Sequence, residues 1–80
     1  MNPRPTPHPQ PALGRAIREF RQKREATLET VAEEAGITLN MLSLIERGEG
    51  NPTWATIKGI AAAFDVPVST LAKAAERLET

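Results

Sequence analysis

The sequence contains no cysteine and no tyrosine, and its one histidine, His8, lies near the amino terminus. Without cysteine, neither disulfide bonds nor thiolate metal sites can reinforce the fold. A single histidine without a second ligand nearby is typical neither of a metal site nor of a catalytic base. There is also no glycine-rich phosphate loop and no pair of acids placed for catalysis. We therefore expect no enzyme, no cofactor and no metal site.

Long apolar segments are also absent from the 80 residues of the chain. No run approaches the ~18 residues that span a membrane. The first eleven residues lack the apolar stretch of a secretory signal, so a cytoplasmic location is the default expectation. A chain of this length buries only ~60% of its unfolded surface, which makes the core marginal. Close packing must therefore stabilise it, either within the chain alone or also against a second subunit.

Proline is concentrated at the amino terminus, where five of the seven prolines fall within the first eleven residues. Their alternation with polar residues favours an extended polyproline II conformation without an apolar face. We predict that residues 1–11 form a disordered arm, outside any helix, and that residues 12–80 form the folded domain.

The net charge is zero, with ten basic and ten acidic residues, so the overall balance does not indicate a nucleic-acid partner. The distribution is uneven, however. Residues 1–24 carry six Lys or Arg against one Glu, whereas residues 25–50 carry six Glu against one Arg. This asymmetry is typical both of a chain with an electrostatic partner and of an ordinary solvated helical surface.

Apolar residues recur at helical spacing from Ala12 onward, and no segment alternates as a half-buried strand would. The sequence therefore predicts an all-α domain of five helices. The first helix is expected at about 12–24 and the fifth at about 68–79. Threonine N-caps and loop signals place the second helix from Thr27 to Ala35, the third from Thr38 to about 47, and the start of the fourth after Thr53. Gly36 is expected to end the second helix in a left-handed conformation.

The stretch from Leu28 to Arg47 carries the most specific pattern. Two short helices are separated by three residues around Gly36, and the small Ala32 lies where they cross. The positions that must face the shared core are apolar, namely Val31, Ala35, Ile37, Leu42 and Ile45. This pattern resembles the Cro and Xre type of helix-turn-helix regulators, which are related to phage repressors.

The resemblance extends roughly from Leu13 to Leu71. It includes Leu13-Gly14, Ile17-Arg18, the turn Val31 to Thr38, the segment Leu42 to Gly48, and Asn51-Pro52-Thr53 with Ile57 and Ile60-Ala61. It implies a compact five-helix, lambda-repressor-like DNA-binding domain with the helix-turn-helix proper at residues 28–47. It also implies a sequence-specific regulator of transcription that binds double-stranded DNA, with a recognition helix at about 38–47 in the major groove.

Carried over residue by residue, the resemblance assigns base reading to four residues on the outward face of the recognition helix, namely Leu39, Asn40, Ser43 and Leu44. Asn40 is expected to be the main base reader, since an asparagine amide can pair bidentately with adenine. Phosphate contacts are expected from Thr38, Arg47, Asn51, Thr53, Thr56 and Lys58, which surround helix ends. In the arm, Arg4 is compatible with a minor-groove contact, and His8 is expected to be inert.

Arg21 and Glu46 correspond to a pair that forms a salt bridge between the first and third helices in this family. Their sequence positions agree, since each follows an inward apolar residue at the rim of the core. We expect the pair to fix the angle of the recognition helix more than to add stability.

The sequence departs from the family pattern at the second helix and at Leu44. Leu28 stands where a phosphate-binding glutamine is usual, and three glutamates add negative charge to the same helix, at Glu29, Glu33 and Glu34. Leu44 stands where a basic or amide side chain is frequent. These differences predict modest DNA affinity per monomer and a need for binding at two sites.

We expect the fifth helix to join two copies of the chain, so that two DNA half-sites are bound together. Its apolar residues predict a seam between two copies, formed by Val68, Leu71, Ala75 and Leu78, with Ala75 and Leu78 beyond what the core needs. A homodimer would bind an inverted repeat with half-sites ~10 bp apart or a multiple of this. The alternative is a helix-turn-helix module that binds protein through an apolar patch of exposed Leu28, Leu39, Met41 and Leu44.

Overall fold

The computed structural model describes residues 10–79, which form five α-helices and no strand. The helices are α1 (Pro11–Lys23), α2 (Leu28–Ala35), α3 (Leu39–Glu46), α4 (Trp54–Ala63) and α5 (Val68–Leu78). The predicted all-α, five-helix fold is therefore confirmed. None of these helices is long and apolar enough to cross a membrane. Residues 1–9 of the predicted arm, including Arg4 and His8, lie outside the described residues.

The predicted boundary between arm and domain is wrong at Pro11, which is the first residue of α1. Proline is tolerated there because the N–H groups of the first turn have no partner within the helix. The N–H of Gln10 donates to the carbonyl oxygen of Gly48, at 2.9 Å, which fixes the start of α1 to the loop after α3. Gly48 has a φ of 78°, and a Cβ on it would lie 2.8 Å from Cα of Pro11, so this contact requires glycine.

One apolar core lies among the five helices of the described chain. α1 packs against α5 and α3, while α2 packs against α4 and α3. The largest fully buried side chains come from all five helices or their ends, namely Ile17, Val31, Leu42, Ile60, Phe64 and Leu71. Burying each contributes about 1.5–3 kcal/mol. This core holds α3 in place from its inner side.

Three helices begin in the same way, with a threonine whose hydroxyl oxygen accepts the backbone N–H three residues later. The pairs are Thr27 with Thr30, Thr38 with Met41 and Thr53 with Thr56. Each cap contributes about 1 kcal/mol. Gly36 ends α2 with a φ of 76°. These predicted helix ends are confirmed, and they define the short turn between α2 and α3.

α5 lies in the core of the single chain, and this corrects the predicted seam. Leu71 is 1% exposed and Ala75 is 7% exposed, while Val68 and Leu78 are half-buried against the same core. The expectation that Ala75 lies beyond what the core needs is wrong, because α5 packs extensively against α1. Leu71 and Ala75 are therefore not available to a second copy.

Candidate nucleic-acid interface

α3 buries one side and presents the other to solvent. Leu42 and Ile45 face inward and are 0% and 3% exposed. Among the predicted base readers, Leu39 and Asn40 are exposed at the start of the helix. The other two, Ser43 and Leu44, are half-buried further along. The expected outward face therefore exists, and it is widest at the amino-terminal end of α3.

The predicted ion pair is present in the structure. Nε of Arg21 donates to Oε2 of Glu46 at 2.7 Å, and Nη2 donates to Oε1 at 3.0 Å, so the contact is bidentate. The side chains of Arg21 and Glu46 are only 16% and 7% exposed. The hydrogen bond and the charge of Glu46 raise the pKa of Arg21, against the opposing effect of desolvation.

The same guanidinium makes a third contact that sequence analysis did not foresee. Nη1 of Arg21 donates to the backbone carbonyl oxygen of Ala26 at 3.1 Å. Ala26 immediately precedes the N-cap of α2. One side chain of α1 therefore binds both the entry to α2 and the last residue of α3, and it sets the positions of these two helices together.

Gly14 brings α1 close to the end of α3. A Cβ at this position would overlap the carbonyl oxygen of Ile45 and would lie 2.6 Å from that of Glu46. Any larger residue would push the two helices apart. The inner side of α3 is thus held by apolar packing, by a bidentate ion pair and by direct backbone contact.

A groove of about 200 Å³ separates α3 from the loop and first turn of α4. Leu44 lines one side, and Asn51, Thr53 and Thr56 line the other. The structure therefore brings these four predicted site residues together. Thr53 serves as N-cap of α4 at the same time, since its Oγ1 accepts the N–H of Thr56 at 3.1 Å.

Arg47 lies at the end of α3 and is largely in solvent. Its Nε is 3.8 Å from Oε2 of Glu49, with side-chain exposures of 57% and 59%. Such an exposed pair contributes at most about 1 kcal/mol, so it leaves the guanidinium available to a phosphate.

Three predicted phosphate ligands, Thr38, Arg47 and Lys58, do not line this groove. Of these, Lys58 lies on α4. It follows Thr56 by two residues and therefore points about 200° away around α4. It is exposed, on the side of the helix that carries Trp54. A role for Lys58 in phosphate binding therefore stays a prediction, separate from the residues of this groove.

Met41 lines the groove beside Leu44, although sequence analysis gave it a place only in the alternative function. The spacing of three residues on one helix was the available signal.

The expected apolar docking patch is smaller than predicted, because Leu28 is half-buried and packs against the core. Leu39 and Met41 remain exposed, at 46% and 44%.

Two of the three glutamates of α2 lie close to α3. Glu29 and Glu33 line an open groove of about 510 Å³ together with Leu39. Their carboxylates therefore border the outward face of α3, where they oppose the approach of another anion. Glu34 is exposed and does not line this groove.

This surface carries groups that can bind another molecule. It offers hydroxyl, amide and guanidinium groups, apolar side chains, and the free N–H groups at the starts of α3 and α4. Within residues 10–79, no three His, Asp or Glu side chains come together as metal ligands.

Comparison with known proteins gives the same family as the sequence pattern. The family model for the helix-turn-helix domain matches residues 12–78. The HTH-type transcriptional regulator SutR of Escherichia coli is 41% identical over 58 residues, which cover 72% of this chain and 33% of SutR. The chain thus spans only about a third to a half of the curated relatives it matches.

Two solved structures show the same fold. The clp gene regulator ClgR from Corynebacterium glutamicum superposes with a TM-score of 0.82 at 29% identity, covering 91% of this chain and 78% of ClgR. The biofilm regulator SinR in complex with DNA superposes with a TM-score of 0.70 at 34% identity, covering 75% of this chain and 97% of that one. The chain therefore belongs to the Cro and Xre type of helix-turn-helix transcriptional regulators.

Proposed function

We propose that this chain is a sequence-specific regulator of transcription that binds an inverted DNA repeat as a dimer, with α3 in the major groove. The observation that carries the proposal is the position of α3. Its inner side is fixed by the bidentate contact of Arg21 and Glu46, and its outer side exposes Asn40 at the amino-terminal end. The similarity to SinR, whose structure is a complex with DNA, supports it.

Base reading is assigned to the outward face of α3. Asn40 is exposed and carries both a donor and an acceptor for the edge of adenine. Leu39 and Leu44 offer apolar contact to thymine methyl groups, and Ser43 offers a hydroxyl to a base edge or a phosphate. Because Ser43 and Leu44 are half-buried, we assign the main discrimination to Asn40.

Phosphate binding is assigned to the groups at the ends of α3 and the start of α4. Asn51, Thr53 and Thr56 face the same groove as Leu44, so a backbone phosphate seated there lies next to the base-reading helix. Free N–H groups at the start of α4 and the helix dipole favour an anion at this point. Thr38 and Arg47 are exposed at the two ends of α3.

The acidic side chains near α3 make two-site binding necessary. Glu29 and Glu33 border the groove beside Leu39, and their charge repels phosphate. A single half-site is therefore bound weakly, and a dimer on an inverted repeat gains affinity from the second contact.

Selection of bound duplexes from a random pool tests the proposal, and the chain offers a matched pair of asparagines. Asn40→Ala should relax the preference for adenine at one position by roughly 5- to 150-fold, which corresponds to 1–3 kcal/mol. Asn51→Ala should weaken all duplexes alike, because phosphate contacts carry no sequence information. An unchanged preference with Asn40→Ala would remove this side chain from base reading.

The exposed Leu39 and Met41 favour one other function, namely protein binding through α3. A salt series separates the two functions. DNA affinity must fall steeply as salt rises, because each neutralised phosphate releases a counterion. Failure to bind any duplex at low salt, with a protein partner retained at high salt, would favour the second function.

A further inference from the structure

Met41 is the only residue with a sulfur atom among residues 10–79, because the chain has no cysteine and its other methionine is Met1. It lies in the first turn of α3, where its backbone N–H donates to Oγ1 of Thr38 at 3.0 Å. Met41 is 44% exposed, so small solutes reach it in the folded chain. A thioether in such a position is open to oxidation without unfolding.

The side chain of Met41 borders hydrogen-bond donors that the fold leaves unused. It lines the groove of about 200 Å³ between α3 and the start of α4, together with Asn51, Thr53 and Thr56. The hydroxyls of Thr53 and Thr56 share one hydrogen bond, at 3.1 Å, so one of their two protons stays available. Asn51 is exposed, and its side-chain amide donates to no other group within residues 10–79. The thioether therefore lies beside free donors.

We infer that Met41 is a site of reversible oxidation and that its sulfoxide blocks phosphate binding in this groove. The oxidant is a peroxide. The sulfur of Met41 loses two electrons and gains one oxygen atom from hydrogen peroxide, whose other oxygen leaves as water with both hydrogen atoms. A methionine sulfoxide reductase restores the thioether, with a dithiol as the reductant and water as the product. Oxidation thus turns an apolar side chain into a polar one.

The sulfoxide oxygen competes directly with a phosphate. It accepts the hydrogen bonds of Asn51 and Thr56 that a phosphate would otherwise accept, and its partial negative charge repels the same anion. Leu44 and Pro52 also line the groove but offer no side-chain donor, so the oxygen finds its side-chain partners among the phosphate-binding groups. The effect on DNA rests on the proposed function, because that function assigns a phosphate to this groove. The oxidation itself does not depend on it.

The first test uses the full chain without DNA. Hydrogen peroxide should add one oxygen to Met41, while circular dichroism shows an unchanged helix content. The tryptic peptide from Glu25 to Arg47 carries this methionine and no other, so its mass reports the reaction. In two-dimensional NMR spectra, the side-chain amide signal of Asn51 should shift, because the new oxygen accepts its hydrogen bond. Resistance of Met41 until urea unfolds the chain, or an unmoved Asn51 signal, would overturn the inference.

The second test measures duplex affinity before and after oxidation. The oxidised wild type should bind about tenfold more weakly, the size of one lost hydrogen bond to a charged group, and methionine sulfoxide reductase should reverse the loss. All duplexes should weaken alike, with the adenine preference of Asn40 retained, because phosphate contacts carry no sequence information. Met41→Leu keeps an apolar side chain without sulfur, so its affinity should not respond to peroxide. Trp54→Phe is the matched control, since it removes the other readily oxidised side chain of residues 10–79 and should keep the response.

The two tests together separate this inference from the proposed function. If the untreated chain binds no duplex but oxidation shifts the Asn51 signal, the DNA-binding function fails and the oxidation site is supported. Equal duplex affinity before and after complete oxidation of Met41 would overturn the inference alone. So would a loss of affinity that persists in Met41→Leu, or a loss confined to duplexes that differ at one base pair.

Discussion

Helices α3 and α5 both carry several apolar side chains and both contribute to the core, but α3 also leaves two large ones exposed. α5 places Leu71 and Ala75 in the core, at 1% and 7% exposure, whereas α3 leaves Leu39 and Met41 at 46% and 44%. Apolar residues at helical spacing thus identify a helix without showing where its apolar face goes. The apolar surface that remains after folding is the better guide to binding, because the fold itself gains nothing from it.

The largest expected effect comes from the buried side of this comparison. Leu71→Ala removes a fully buried side chain and leaves a cavity that the surrounding helices cannot fill completely. It should lower the free energy of unfolding by about 3 kcal/mol. Urea denaturation of the wild type and the variant gives this value. If Leu71→Ala kept its stability but associated more weakly with itself, Leu71 would belong to an interface and the contrast between α3 and α5 would not hold.

Glu46→Ala should have the next largest effect, on the inner side of α3. The substitution leaves Arg21 without its carboxylate partner in a site where the guanidinium is largely enclosed. The free energy of unfolding should fall by about 2 kcal/mol, which is less than for a fully buried pair. DNA affinity should fall as well, because α3 loses its fixed angle. The matched control is Glu49→Ala, which breaks only the exposed contact with Arg47 and should cost less than about 0.5 kcal/mol. Unchanged melting temperature and affinity with Glu46→Ala would contradict this role.

The pH dependence of this contact follows from the raised pKa of Arg21. A basic group whose pKa is higher in the folded state stabilises fully below its unfolded pKa and loses that contribution only as pH rises through the folded value. For arginine both values are strongly alkaline. The difference in unfolding free energy between wild type and Glu46→Ala should therefore stay constant from neutral to mildly alkaline pH. A decline over that range would show that another group controls the contact.

The turns before α3 and α5 offer a smaller test. Gly36 precedes α3 with a φ of 76°, and a Cβ added to it would meet no atom within 4 Å, whereas Asp65 precedes α5 with a φ of 57°. Gly36→Ala should cost about 1 kcal/mol, purely from the left-handed backbone. Asp65→Gly should instead stabilise slightly, because it relieves the same strain. Shifts of the melting temperature in opposite directions would support both expectations; destabilisation by Asp65→Gly would show that its side chain matters.

The smallest expected effect is on the exposed side of the comparison. Leu39→Ala makes the same chemical change as Leu71→Ala, but at a position that is 46% exposed. Its unfolding free energy should stay within about 0.5 kcal/mol of the wild type. Its duplex preference should change, because the side chain lies beside Asn40 on the outward face of α3. A large loss of stability in urea would show that this leucine belongs to the core.

Features set by neighbouring residues were predictable from the sequence. The threonine caps and the left-handed Gly36 depend on a few adjacent residues, and the helix bounds followed from them. The burial of Ala75 was not predictable, because it depends on how α5 lies against α1. The bond from Arg21 to Ala26 was not predictable either, since a backbone carbonyl gives no signal in a sequence.

The candidate site was predictable to a similar extent. The groove that joins Leu44 to Asn51 and Thr53 connects residues close in sequence, and the family pattern named them. The separation of Lys58 from Thr56 around α4 was predictable too, since it follows from helix geometry alone. The exposure of Trp54 could not be read from the sequence, because the same residue would be buried if α5 crossed α4 differently.

The hydrogen bond from Gln10 to Gly48 has a practical consequence for anyone who shortens this chain. The loop after α3 is shaped by the very first residues of the folded domain. A truncated fragment that starts after Gln10 would keep all five helices yet release this loop, and with it the approach to Asn51. Fragments intended for crystallisation with DNA should therefore retain Gln10.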